Sequence, residues 1–252
     1  MRKCFTIICM LLMMFSYNVQ AQNRKPAVRK SAPTATAGKP KAANATPRKK
    51  SVTKLCPNDN HPHAIDLGLP SGTKWACCNV GAAIPEEYGD YFAQGEIRPK
   101  KSYMLENYKY HDGSSSYESG FYHAGMRDIR GKEEYDAAKA VMGKKWIMPS
   151  HTLYNELFGN CIQEWVEFSG VFGMLLTGPN GNAIFLPAGG SYSGDKITGL
   201  NDRGVYWPGT SPDCSLYAGY YTSIDISNYG CKVDDCIARR TFGYTIRAIA
   251  DF

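Results

Sequence analysis

The chain has 252 residues, a formal net charge of +6 and a hydrophobic content of 43%, which leaves room for one domain with a tail. The charge is unevenly placed: the first 54 residues carry 12 of the 29 Lys and Arg and no Asp or Glu, leaving 17 basic against 23 acidic residues in the remainder, a balance of −6. That argues against a nucleic-acid-binding fold, because the basic footprint that phosphate contacts need is confined to the tail.

Residues 1–21 begin with Arg2 and Lys3, continue through an apolar run from about Cys4 to Tyr17 and end on Val19-Gln20-Ala21. This is the pattern of a secretory signal peptide with cleavage after Ala21. The run is shorter than the roughly 20 residues a helix needs to span hydrocarbon. Residues 22–54 are rich in Lys, Arg, Ala, Pro and Thr and almost lack large apolar side chains. Such a segment cannot bury enough surface to offset its ordering entropy and is expected as a disordered basic linker. Its charge suits envelope contact through an anionic surface. The expected location is therefore outside the cell, on the outer surface or in the periplasm.

Residues 55–252 are expected to form a single globular domain. Ala64 to Leu69 reads as a strand and Thr73 to Ala76 as another, turning on Pro70-Ser71-Gly72. Residues 102–132 are polar and without a clear period, and read as a long surface loop. A helix is expected over 133–142, stopping at Gly143. Trp146-Ile147-Met148-Pro149 reads as a strand. Ser150 then caps a second helix, with Leu153, Leu157, Phe158 and Cys161 at core spacing. Asn180-Gly181 between the apolar runs 173–177 and 183–186 signals a hairpin. Residues 216–226 alternate, with Leu216, Ala218, Tyr220, Thr222, Ile224 and Ile226 on one face; residues 241–249 read as a closing strand. Two early helices and many late strands indicate an α+β fold of small antiparallel sheets with long loops.

Several stretches carry a further resemblance: Asp66-Leu67-Gly68-Leu69, Lys74-Trp75-Ala76, Cys78-Asn79-Val80-Gly81-Ala82, the run from Pro85 to Phe92, Gly95-Glu96, Trp146 to Pro149, Thr177 to Asn182, Ile184 to Ala188 and Arg247. In this order they resemble the Fibrobacter succinogenes major paralogous domain, a module of secreted and surface proteins. The resemblance implies a C-type-lectin-like fold with first and last strands paired, a long loop region carrying any ligand site, and no catalytic residues. Family members usually have a small residue at Cys77, and often Trp-Ser-Ser where this chain has Trp207-Pro208-Gly209-Thr210-Ser211. Cys78 and Cys161 fall in family motifs and are the first disulfide candidates, with Cys231 and Cys236 or Cys214 next. Buried reduced thiols are the alternative reading.

The residues offer little for chemistry. No Cys-x-x-Cys occurs, and His61-Pro62-His63 has no partner histidine nearby, so no metal or cofactor is expected. His111-Asp112, His123 and His151 lack a nucleophile elbow, so no enzyme is expected. Asn201-Asp202 and Asp234-Asp235 read as solvated turns. The remaining candidates are tyrosines on the non-core side or in loops: Tyr217, Tyr221 and Tyr229 as ligand-binding residues, with Tyr103, Tyr108, Tyr110 and Tyr117 also exposed. Tyr combines an apolar face with a hydroxyl, which suits a glycan or a surface protein. The expected function is a secreted or surface recognition module, and the alternative is a structural envelope protein tethered by its basic tail.

Overall fold

The computed structural model describes residue 56 and residues 60–111, 126–212 and 220–251. The expected signal peptide and linker lie outside these residues, as do Tyr117, His123, Cys214 and Tyr217. In chain order the described residues form β1 (Ala64–Asp66), β2 (Lys74–Asn79), α1 (Ala137–Met142), β3 (Trp146–Ile147), α2 (His151–Asn160), β4 (Ile162–Phe168), β5 (Val171–Thr177), β6 (Ala183–Pro187), β7 (Gly189–Ser193), β8 (Lys196–Leu200), β9 (Arg203–Tyr206), β10 (Tyr220–Ser227), β11 (Gly230–Arg239) and β12 (Arg247–Ala250). The class is α+β, with small, mostly antiparallel sheets and two short helices.

Both helices begin where side-chain chemistry ends the preceding strand or turn. Asp136 caps α1 by accepting from Lys139 N, and the same carboxylate accepts from Gly131 N and Met148 N. The helix stops at Gly143, whose φ of +94° few other residues adopt. Ser150 caps α2 by accepting from Leu153 N, and α2 buries Tyr154 and Leu157, one turn apart on the same side. The turn between β4 and β5 is Ser169-Gly170, both at positive φ, which matches strand twist in a two-residue hairpin.

The sheets follow the orders β1-β2-β12-β3, β4-β5-β6 and β11-β10-β9-β7-β8. The first and last strands share one sheet, but they are not neighbours. β1 pairs with β2, with Ile65 opposite Trp75, and β12 takes the other edge of β2, with Ile249 also opposite Trp75. The expected direct pairing is corrected for a physical reason. The tight turn at Leu69–Gly72, closed by a 2.9 Å bond from Gly72 N to Leu69 O, commits β1 to one edge of β2. The closing strand can reach only the free edge.

Two sequence signals that look independent meet in space. Asn180 and Asn182 donate their side-chain N–H groups to Asp66 O at 3.0 and 2.8 Å. Gly178 lies so close to Leu67 that a Cβ there would stand 2.1 Å from the Leu67 carbonyl oxygen. Gly178 is therefore required by a backbone contact, apart from its place in the hairpin. On the other side, Glu156 of α2 accepts from both Ser71 N and Ser71 Oγ, pinning the β1–β2 turn to the helix.

The core has two main parts. One gathers Phe92, Trp207, Tyr244 and Ile246 with Ile129 and Ala138. The other gathers Leu67, Trp75, Tyr154, Leu176, Tyr206 and Ile249. Residues 102–132 are not simply a surface loop. Where described, they contain a one-turn helix at Leu105–Asn107, and Tyr103, Leu105 and Tyr108 form a small core of their own with Ala93. The reason is hydrogen bonding: the Tyr103 and Tyr108 hydroxyls donate to Tyr91 O and Gln94 O, so these rings can be buried with no polar atom stranded.

Candidate functional site: a charged cleft and a thiol–imidazole cluster

The tyrosines nominated from sequence divide sharply. Tyr229 is 94% exposed at the turn between β10 and β11. Tyr221 is fully buried: its ring lies edge-on to Trp207, the Arg240 guanidinium sits 4.7 Å from its centroid, and its hydroxyl donates to Arg127 O. Burial holds its phenol well above the ordinary range. Alternation along β10 fails because the strand is covered on both faces; residues 221–226 are all buried. Tyr221 is therefore corrected from a binding residue to a core residue. Tyr103 and Tyr108 are corrected likewise, and burial pushes the Tyr103 phenol up to about 12. Tyr110 is half-buried.

Tyr229 stands on the wall of a cleft of about 240 Å³ that is lined also by Asp202, Arg203, Asp225, Ile226, Ser227, Asn228 and Lys232. Strand register builds it. β9 and β10 place Val205 opposite Asp225 and Arg203 opposite Ser227, and β11 places Lys232 opposite Asp225. Arg203 bonds the Asp225 carboxylate at 2.5 Å and Lys232 bonds Asp234 at 2.5 Å. Burial raises the Asp225 carboxyl pKa, and the Arg203 charge opposes that rise. A second cleft of about 380 Å³ lies among Glu96, Ile97, Arg98, Asn107 and Lys109. Its described lining has no aromatic side chain, and Glu96 Oε1 is already engaged by Lys100 Nζ and Lys109 N.

The other candidates have structural partners. His151 Nδ1 and His151 N both contact Thr210 Oγ1, at 2.7 and 3.0 Å, which ties the start of α2 to residue 210. Asn201 Oδ1 accepts from the Tyr88 hydroxyl and from Phe172 N. Asp234 and Asp235 lie within β11 and not in a solvated turn; Asp235 accepts from Thr222 Oγ1.

Cys78, Cys161 and Cys231 are free thiols, so the Cys78–Cys161 bridge that the resemblance implied is not formed. Cys161 closes α2, whereas Cys78 is buried in β2 beside Cys56 and Cys77. Cys236 is disulfide-bonded, and Cys231 is not its partner. Burial pushes the thiols of Cys161 and Cys231 up to about 11 and about 12, which leaves them poor nucleophiles near neutral pH.

Around Cys77 the structure assembles what spacing in the sequence separates. His61 Nδ1 lies 3.2 Å from Cys77 Sγ and 3.6 Å from Cys56 Sγ, and His63 Nδ1 lies 3.8 Å from Cys77 Sγ. The ligand atoms of Cys56, His61, His63 and Cys77 all fall within 4.8 Å of one another. His63 N also donates to Cys77 Sγ at 3.1 Å. Cys78 Sγ lies 3.9 Å from the same sulfur, and these contacts hold the Cys77 thiol well below its ordinary range while the neighbouring Cys77 and burial drive Cys78 up.

Comparison with protein-family models, with curated proteins and with solved structures finds no match to this chain.

The cleft can offer hydrogen bonds and an apolar ring to a small polar group; at about 240 Å³ it is below the ~300 Å³ at which drug-sized ligand pockets begin. The cluster offers two sulfurs and two imidazoles, a set suited to a borderline-soft divalent metal. The signal for it in the sequence is hairpin register. With Ile65 opposite Trp75, His63 falls opposite Cys77, and the 2.9 Å bond from Cys77 N to His63 O continues the ladder. Searching for Cys-x-x-Cys misses a site whose ligands face each other across a hairpin.

Proposed function

We propose that this chain is an exported, non-catalytic recognition module with a C-type-lectin-like fold, related to the Fibrobacter succinogenes major paralogous domain. It binds a glycan or a protein through the cleft at the β10–β11 turn. The exposure of Tyr229 beside Arg203 and Asp202 carries this reading. A large ring held in water on a two-residue turn contributes nothing to the core. Next to charged hydrogen-bonding groups it can stack on a sugar face or an apolar side chain while they bond its polar edge. In a glycan array and a surface-protein pull-down, wild-type protein gives a reproducible hit. Tyr229→Ala lowers affinity for that hit about tenfold, or ~1.4 kcal/mol, with unchanged circular dichroism. Blank results in both assays at high micromolar protein, or an unaffected Tyr229→Ala, count against the cleft.

A second reading rests on the ten basic residues, with no acidic one, in residues 22–54. In it the tail attaches the protein to an anionic envelope surface, at about 1 kcal/mol per Lys or Arg near the membrane, and the domain is a spacer. Deleting residues 22–54 then moves the protein from the envelope to the soluble fraction. Unchanged fractionation rejects this second reading.

A further inference from the structure

We propose that Cys56, His61, His63 and Cys77 hold one Zn²⁺ in a closed structural site that clamps the start of the globular domain to β2. Three observations support it. The first is the donor set: two thiols and two imidazoles are the ligands of tetrahedral structural zinc, and no oxygen ligand is involved.

The second is distance. With Zn–S about 2.3 Å and Zn–N about 2.0–2.1 Å, a tetrahedron places sulfur and nitrogen ligands about 3.6 Å apart along its edges. Three of the four sulfur–nitrogen separations in the cluster are 3.2, 3.6 and 3.8 Å, and every pair of ligand atoms lies within 4.8 Å. Three edges of the polyhedron a zinc ion would require are therefore already near their expected length, and the remaining pairs are close enough to close it with small side-chain shifts.

The third is crowding at one sulfur. Cys77 Sγ is approached by His61 Nδ1, by His63 Nδ1, by His63 N and by Cys78 Sγ. Two imidazole nitrogens aimed at one sulfur repel through their lone pairs unless a cation or protons lie between them. A metal at the centre satisfies both lone pairs at once and leaves the His63 N–H as an outer hydrogen bond to the ligand sulfur.

Burial explains why the site is structural and not catalytic. Cys77 is 2% and Cys56 9% exposed. A substrate therefore cannot reach Cys77 Sγ, which disfavours reading Cys77 and His61 as a nucleophile and base. Four protein ligands also leave no open position for water. Two thiolates and two neutral imidazoles around a divalent ion sum to zero charge, the arrangement a half-buried site tolerates best. His61 and His63 immediately precede β1, a three-residue edge strand, and Cys77 belongs to its partner β2. The metal therefore fastens the first edge of the sheet at the point where the basic linker joins the domain. This inference does not depend on what the cleft binds.

The test uses the full chain as exported, purified without chelator. Elemental analysis returns about one zinc per molecule. Replacement by Co²⁺ gives the visible d–d bands of a tetrahedral site and a near-ultraviolet thiolate charge-transfer band. Cys77→Ser and His61→Ala each abolish both, whereas Cys161→Ser, a free thiol outside the cluster, keeps them. Because a ligand variant can fail to fold, wild-type protein is also titrated with a chelator. Its melting temperature falls by about 5 °C or more and recovers on adding Zn²⁺. Folded wild-type protein with no stoichiometric metal and no Co²⁺ thiolate band overturns the proposal. So does peptide mapping that finds Cys56 or Cys77 in a disulfide in the exported protein.

Discussion

Arg247→Met lowers the unfolding free energy by about 3 kcal/mol and the melting temperature by roughly 6–12 °C. Arg247 is fully buried in β12. Its guanidinium donates to Asn79 Oδ1 at 2.9 Å, Ala76 O at 3.0 Å and Phe185 O at 2.8 Å. One side chain thus ties β12 to β2 and, across the core, to β6. Two effects oppose each other in the substitution. Removing a buried charge relieves its desolvation, which favours the variant. Leaving three buried acceptors without that donor costs about 1–3 kcal/mol for each one that relaxation cannot satisfy. The loss wins, because the acceptors lie on strands fixed by their own ladders and cannot move to new donors. Arg247→Lys does not rescue the protein: a single ammonium on a flexible stem lacks the planar fork that reaches three acceptors in different directions. Urea titration checks this, with the midpoint falling at unchanged slope.

Trp207→Ala costs about 3–5 kcal/mol. The indole is fully buried just after β9, lies 4.2 Å from the Tyr244 ring and donates Nε1–H to Phe92 O at 2.8 Å. It therefore joins three segments distant in sequence, and its removal leaves a cavity in the first core cluster that backbone pairing on both sides prevents from collapsing. Trp207→Phe separates the terms. It keeps most of the apolar contact and removes one of the two donors to Phe92 O, which still accepts from Tyr244 N at 3.0 Å, so about 1 kcal/mol is lost. Denaturant unfolding of the pair gives the order Ala worse than Phe; equal losses from the two would mean that the hydrogen bond, and not the ring volume, holds this part of the core.

Much of the local structure is legible in the residues themselves. Ser150 caps α2 as its position indicates, and Asn180-Gly181 turns the hairpin of β5 and β6. The first helix is shorter at its start than residues 133–142 suggest, because Asp136, three residues in, is a stronger cap than Glu133. β4 and the strands β7 to β9 were not anticipated. Gly190 and Gly204 lie inside these strands, where β7 and β9 approach closely enough to pair.

The amino-acid sequence by itself determines the charge division between tail and domain, the turns, the caps and the α+β class. Each of these follows from chemistry between near neighbours in the chain. Tertiary structure alone decides that Tyr221 is core while Tyr229 meets solvent, that β2 separates the first and last strands, and that Cys56, His61, His63 and Cys77 converge. Those outcomes depend on which strand faces become covered and on the register in which distant segments pair, and neither is set by spacing along the chain.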